Sequence, residues 1–211
     1  MLYFDSLPKI SVRDENGYPI ALTNIMTRAR LVEEFENNPM LFYQYIIQEG
    51  DTPEIVADKY YDDSYRYWIV LYSNRILDPL WDWPLTSDLF LKYIDNKYAA
   101  EAEAEDQTPF EYTNTTVYTY QKITKTINLQ NNNENIVYTT LSESDFNSLV
   151  PSSTTYTIPN APSCIVDISK RSITIFDYEY QKNEDKKVIK LLNRNFVANF
   201  EQVFREVMGA E

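Results

Sequence analysis

Residues Tyr45–Pro79, YIIQEGDTPEIVADKYYDDSYRYWIVLYSNRILDP, decide the fold. The stretch from Met40 to Ile47 is apolar and aromatic, as a strand requires. Gly50 permits a tight turn, Thr52 has the oxygen of an N-cap, and Pro53 suits a first helical position that needs no N–H donor. Glu54 complements the positive end of that helix. A second helix is expected from Asp63 or Ser64, with Tyr65, Trp68, Leu71 and Tyr72 as its buried stripe. Asn74 tolerates the left-handed backbone that closes a helix, and Pro79 prevents continuation. The segment therefore predicts strand, turn, helix, loop, helix and stop. Leu80-Trp81-Asp82-Trp83-Pro84 follows at once as an extended, proline-bounded piece. Its two tryptophans, two apart, would point to opposite faces, so that one can anchor the core while the other faces outward; the alternative is that both pack on the third helix.

Working outward, residues 1–26 read as an extended arm broken by Pro8, the Asn16-Gly17 pair and Pro19. Residues 27–37 read as a short helix with Leu31, Val32 and Phe35 on one side. A third helix is expected from Thr86 or Ser87, with Leu89, Phe90, Tyr93 and Ile94 inward. It runs into the acidic, alanine-rich tract 99–106, which marks a boundary. From 107 the composition turns to Thr, Tyr and Asn. Strands are expected at 117–127, 136–141, 164–168 and 173–180, with a turn at Asn131–Asn133 and one helical turn at 144–149. The end is again clear. Residues 187–192 form a strand, and Asn193 caps a helix to Met208 with Phe196, Phe200, Val203, Phe204 and Val207 as its apolar stripe. The expected class is α+β, divided as arm 1–26, helical and strand domain 27–106, β-rich insertion 107–185, and a C-terminal strand and helix 186–211 packing back on the earlier domain.

Composition excludes much chemistry. The 211-residue chain has no histidine, one cysteine and three glycines. Ser-His-Asp and Cys-His catalysis are therefore closed to it, and no phosphate-cradling glycine loop can be written. Cys164 forms no internal disulfide and reads as a small apolar strand residue. The net charge of −13 sits in the first 150 residues, and residues 151–211 are balanced. Such a chain is not expected to bind nucleic acid or an anionic membrane. The start lacks a secretory pattern and no apolar run is long enough to span a bilayer. The carboxylate pairs Asp62-Asp63, Glu49 with Asp51, and Asp78 with Asp82 read as caps and turns rather than acid/base pairs. The 18 tyrosines, 10 phenylalanines and 3 tryptophans exceed what a core of this size takes up and suit protein interfaces.

Tyr45, Ile47, Gly50-Asp51-Thr52, Ile55, Ala57, Tyr60 and Asn74 fall where LysM modules carry their consensus residues. The longer pattern is Tyr67–Leu71, Asn74, Asp78-Pro79, Trp83, Thr86-Ser87 and the closing Lys187–Leu192. With it, residues 27–98 and 186–208 resemble the small LysM-like baseplate wedge subunit of T4-type contractile-tail phages. The resemblance implies a βααβ core and a non-enzymatic, cofactor-free structural protein of the virion tail baseplate, made in the host cytoplasm. In that role it would be present in multiple copies in a symmetric assembly and would clamp wedge subunits around the tail hub. Trp81, Trp83, Leu80, Tyr72, Asn74, Phe196, Phe200 and Phe204 are then the candidate contacts with other baseplate and tail proteins. The alternative is a peptidoglycan-binding LysM module of a tail-associated lytic complex. Its groove would lie between Gly50–Thr52 and Asn74–Leu77, with Gly50, Asp51, Thr52, Asn74 and Ile76 as glycan candidates. Leu80–Pro84 stands where a sugar-binding LysM has its second strand.

Overall fold

The computed structural model describes residues 3–27, 38–157 and 163–208 and belongs to the α+β class. The helix expected over 27–37 lies almost wholly outside the described residues. In chain order the strands are β1 (Lys9–Arg13), β2 (Pro19–Thr23), β3 (Phe42–Ile46), β4 (Val117–Asn128), β5 (Glu134–Leu141), β6 (Ser152–Tyr156), β7 (Cys164–Thr174) and β8 (Val188–Leu192). The described α-helices are α1 (Pro53–Tyr61), α2 (Tyr67–Ser73), α3 (Pro79–Asp82), α4 (Ser87–Lys97), α5 (Ala99–Ala104), α6 (Pro109–Thr115), α7 (Glu143–Ser148), α8 (Ile175–Asp185) and α9 (Arg194–Met208). The chain divides into two compact units, one of residues 1–86 with 183–211 and one of residues 87–182. The boundary expected at 106/107 thus falls inside the second unit, which takes α4 and α5 as well.

The first unit is built around β3, α1, α2 and β8. Thr52 caps α1 through a bond from the Ile55 N–H, and Gly50 takes φ +84° in the preceding turn. Asp62 ends α1 in the left-handed conformation. Asp63 then caps a short 3-10 turn, Ser64–Arg66, that leads into α2. β3 pairs antiparallel with β8, Tyr45 opposite Ile189 and Gln44 opposite Lys190. The second strand of this βααβ arrangement therefore arrives from far downstream. The sequence expectation of a rewritten second strand at 80–84 is corrected: Leu80–Asp82 belong to α3, because Asp78 caps it and Pro79 opens rather than blocks it, and only Trp83 after it is extended.

The core joins Val56, Ile69, Val70, Leu191 and Leu192 to Val197, Phe200, Phe204 and Met208 of α9. Trp68 meets Phe204 at 4.9 Å and Phe200 at 5.9 Å between ring centroids. Two stripes are rotated from their expected positions. On α2 the buried residues are Trp68, Ile69, Val70 and Ser73, while Tyr65 precedes the helix and is exposed. On α9 the buried line is Val197, Phe200, Phe204 and Met208, leaving Phe196, Val203 and Val207 on the exposed flank. At the N-terminal end, β1 and β2 form a hairpin whose every strand residue is exposed, turned by Asp14 and Gly17.

The second unit sets α4, α5, α6 and α8 beside a four-stranded antiparallel sheet in the order β5-β4-β7-β6. Thr108 and Glu111 close a reciprocal capping box on α6. β7 is one strand over its full length. The strand expected at 173–180 is instead the end of β7 and the start of α8. Thr174 Oγ1 accepts from the Asp177 N–H at 3.1 Å, fixing the helix start against the strand propensity of ITIFDYEY. Phe90 then packs edge-on against Phe176 at 5.6 Å and Tyr180 at 5.8 Å.

Candidate functional site

The Gly50-Asp51-Thr52 turn was expected to edge a ligand groove, and its polar groups are committed internally. Asp51 is buried and its carboxylate accepts from Tyr45 Oη at 2.7 Å, the Gln48 N–H at 3.1 Å and Lys59 Nζ at 2.5 Å. Burial pushes the Asp51 carboxyl up, but these three donors outweigh it and hold it below the usual carboxylate range. Burial, with the same hydrogen bond, pushes Tyr45 up to about 12. The Asp51 carbonyl accepts from the indole N–H of Trp83 at 2.8 Å, and Trp83 is only 7% exposed. An acid in this state neither donates nor takes a proton near neutrality, and its best acceptor oxygens are already taken.

The opposite loop is tied down as firmly. The Asn74 carboxamide donates to the carbonyls of Val70 and Lys190 at 2.8 Å each, and its oxygen accepts from the Lys190 N–H at 2.8 Å. Asn74 thus behaves as one residue of an extra strand and closes the free edge of β8. The left-handed position is Arg75 at φ +56°, with Asn74 itself at φ −107°. The expectation for Asn74 is corrected: it stays because of its side chain, not its backbone. Ile76 bonds through its N–H to Leu71 and packs against the core. Gly50 and Thr52 serve as turn and cap, so the glycan candidates are consumed in holding two loops in shape.

The segment between α2 and α4 presents a different surface. Leu77 is 86% exposed, Leu80 80% and Trp81 66%. A short helix in water would not hold such residues in place, yet this one is braced at both ends. Asp82 Oδ2 accepts from the Leu77 and Asp78 N–H groups at 3.2 Å each, and Asp78 Oδ1 accepts from the Leu80 N–H at 3.0 Å. Lys186 Nζ donates to the Trp81 carbonyl, and the buried Trp83 anchors the end. Among the sequence candidates, Leu80 and Trp81 are therefore surface groups and Phe196 is partly so. Phe200, Phe204 and Trp83 lie in the chain's own core, and Tyr72 packs on its edge against Phe204 at 5.1 Å.

Sequence reasoning did not find a groove of about 500 Å³ on the outer side of β3 and β8, lined by Pro39, Phe42, Gln44, Val188 and Lys190 among others. The signal was present in the first four residues of β8, where exposed Val188 and Lys190 alternate with buried Ile189 and Leu191.

The second unit holds its own buried acid. Glu179 on α8 is 5% exposed and accepts from Lys97 Nζ at 2.7 Å, Tyr98 Oη at 2.9 Å and Tyr93 Oη at 3.1 Å. Burial pushes the carboxyl up, but the three donors prevail and hold it below the usual glutamate range. Burial and the bond to Glu179 push Tyr98 up to about 12. Every shift in this cluster favours the resting charge state, so it ties α4 and α5 to α8 and supplies no proton carrier. A carboxyl whose folded value is depressed stabilises the fold at neutral pH and loses that contribution on acidification through the folded value. Glu179→Gln is expected to cost about 2 kcal/mol at pH 7. The gap to the parent should narrow progressively as the pH falls below the ordinary glutamate value of about 4.3, read from urea midpoints at each pH.

Among the described residues no helix is long and apolar enough to cross a membrane, and no group of three acidic or cysteine side chains is placed to hold a metal ion. No family model matches this chain, and a search of curated proteins returns no match.

Proposed function

We propose that the chain is a non-enzymatic structural protein of a contractile-tail phage baseplate, which clamps wedge subunits together around the hub by apolar contacts. The observation that carries this is the braced turn of Leu77, Leu80 and Trp81, large apolar groups held in solvent by hydrogen bonds that serve no internal packing. Rigid aromatic anchors of this kind dominate protein–protein binding energy, and bracing them beforehand lowers the ordering cost on docking. The hairpin of β1 and β2 adds a second surface of the same kind. Ile10 faces Leu22 and Val12 faces Ile20, so these four apolar residues share one uncovered face. The motif resemblance supplies the setting, and the βααβ arrangement of β3, α1, α2 and β8 agrees with it.

The carbohydrate reading has less support. Its candidate residues spend their polar groups on Trp83, Lys59, Tyr45 and Lys190, and a sugar would have to break those bonds to make its own.

Two measurements test the proposal together. Purified tail particles should contain the chain in fixed ratio to other tail proteins by quantitative mass spectrometry. The isolated protein should pass through insoluble peptidoglycan unretained and show no heat on titration with chitin oligomers. Absence from particles together with micromolar glycan binding would overturn the assembly reading in favour of the peptidoglycan module.

A further inference from the structure

We propose that Tyr118 and Tyr178 form an oxidative modification site, at which a one-electron oxidant joins their rings carbon to carbon as dityrosine. The site lies within the second unit and stands apart from the assembly reading.

The backbone sets the two rings together. Val117 pairs with Thr174 and Thr119 with Ile173, so Tyr118 is the extra residue of a bulge at the start of β4. The Ile175 N–H donates to the Thr116 carbonyl at 3.0 Å, and the Asp177 N–H donates to Thr174 Oγ1 at 3.1 Å. These bonds fix the first turn of α8, which carries Tyr178, against the start of the strand. The rings lie 3.8 Å apart between centroids and 18° from parallel. Aromatic pairs in proteins ordinarily keep roughly 4.5–7 Å. Lys182 Nζ, 5.3 Å from the Tyr178 ring centroid, adds a cation–π contact that steadies that ring. Tyr118 is 51% exposed, so a small oxidant reaches it.

The chemistry follows from the stacking. Hydrogen bonding with the Tyr178 hydroxyl holds the Tyr118 phenol above its ordinary value, so Tyr118 enters as a neutral phenol and gives up a proton with its electron. Each ring loses one electron to the oxidant and its hydroxyl proton to water. The two phenoxyl radicals then pair their electrons in a bond between carbons ortho to the hydroxyls. That bond forms perpendicular to each ring plane, and parallel stacked rings present these carbons face to face. The hydrogens on the joined carbons move to the oxygens and restore both phenols. In sum, two tyrosines give one dityrosine, two protons and two electrons. The electrons go to an oxidant of the class of ferryl haem or sulfate radical. Other tyrosine pairs are less suited: Tyr43 and Tyr60 stack at 5.9 Å, and Tyr60 meets Tyr61 edge-on at 76°. With one cysteine the chain has no internal disulfide, and this bond would tie together the two ends of the segment that holds β4 to β7.

Visible-light oxidation of the intact chain with a ruthenium tris-bipyridyl sensitiser and persulfate tests this. The product is expected to show dityrosine fluorescence and to be lighter by two hydrogens. Fragment spectra should place the bond between Tyr118 and Tyr178 more often than between all other tyrosine pairs together, with a yield per chain independent of protein concentration. Tyr118→Phe should abolish this cross-link and leave the circular dichroism spectrum unchanged. If that variant disturbs folding, Tyr178→Phe replaces it. The joined chain should also unfold at a higher urea midpoint, followed by far-ultraviolet ellipticity. An absence of dityrosine, a product dominated by other pairs, or a yield that climbs with protein concentration overturns the proposal. So does a lowered midpoint, which would mean that the rings join only in a distorted fold.

Discussion

A chain ended after Asp185 is expected to lose the cooperative unfolding of its first unit altogether, although every residue of the strand–helix–helix segment at 42–73 remains. β8 and α9 contribute Ile189, Leu191, Leu192, Val197, Phe200, Phe204 and Met208 to the core. Full burial of a side chain of this kind is worth about 1.5–3 kcal/mol, so their combined loss is on the order of 10 kcal/mol or more. A domain of this size has a net stability of only about 5–15 kcal/mol. β3 also loses its only strand partner among the described residues, and Lys190 no longer holds Asn74. Trp68, Trp81 and Trp83 all belong to the first unit, so tryptophan emission reports on it selectively. The truncated chain should show solvent-exposed emission and no sigmoidal urea transition by that probe, while ellipticity from the second unit persists. A preserved tryptophan transition would mean that residues 1–86 fold without β8, contrary to the pairing described above.

The two tryptophans of the Leu80–Pro84 stretch should answer mutation in opposite ways. Trp83→Ala is expected to cost about 3–5 kcal/mol, the range for deleting a large aromatic from a packed core, and it also leaves the Asp51 carbonyl without its indole donor. Trp83→Phe keeps most of the packing and should cost about 1 kcal/mol for the lost hydrogen bond. Trp81→Ala removes a largely exposed side chain whose backbone carbonyl still accepts from Lys186, and should stay within about 0.5 kcal/mol. Urea midpoints followed by the remaining tryptophans measure all three. Equal losses at 81 and 83 would contradict the assignment of one to the interior and one to the surface.

The parts of the fold that were legible in the sequence are those set by local chemistry. Gly50, Thr52 and Pro53 fix the turn and the start of α1 through backbone constraints that act within a few residues, and the Asn16-Gly17 turn between β1 and β2 belongs to the same class. The strand at 188–192 and the helix after Asn193 were also plain. What could not be read is set by partners distant in sequence. Nothing between 40 and 84 says that β3 pairs with β8, and Asn74 looks like a helix terminator until Lys190 is placed beside it. The stripe on α9 was read from its phenylalanines. Burial follows the surface presented by the rest of the core, which takes Val197 and Met208 and leaves Phe196 outside. Residues 173–180 were misread because β-branched and aromatic residues dominate there, although Thr174 and Asp177 already carried the spacing of a capping box. The candidate site was half legible. Leu80 and Trp81 were singled out, but that Trp83 sits under the Asp51 turn, and so commits the would-be groove, depends on a contact spanning 32 positions.

The discontinuity of the first unit bears on how the polypeptide matures during synthesis. Residues 87–182 are contiguous and can fold once they leave the ribosome. Residues 42–86, made earlier, must wait for residues 188–208 to be translated before their sheet can form. Until then Ile69, Val70 and Trp68 lack the surface that covers them, and the nascent intermediate exposes more apolar area than the finished protein. The order of folding is therefore the reverse of the order of synthesis, and a ribosome that stalls before Val188 releases a product with one completed half and one sticky half.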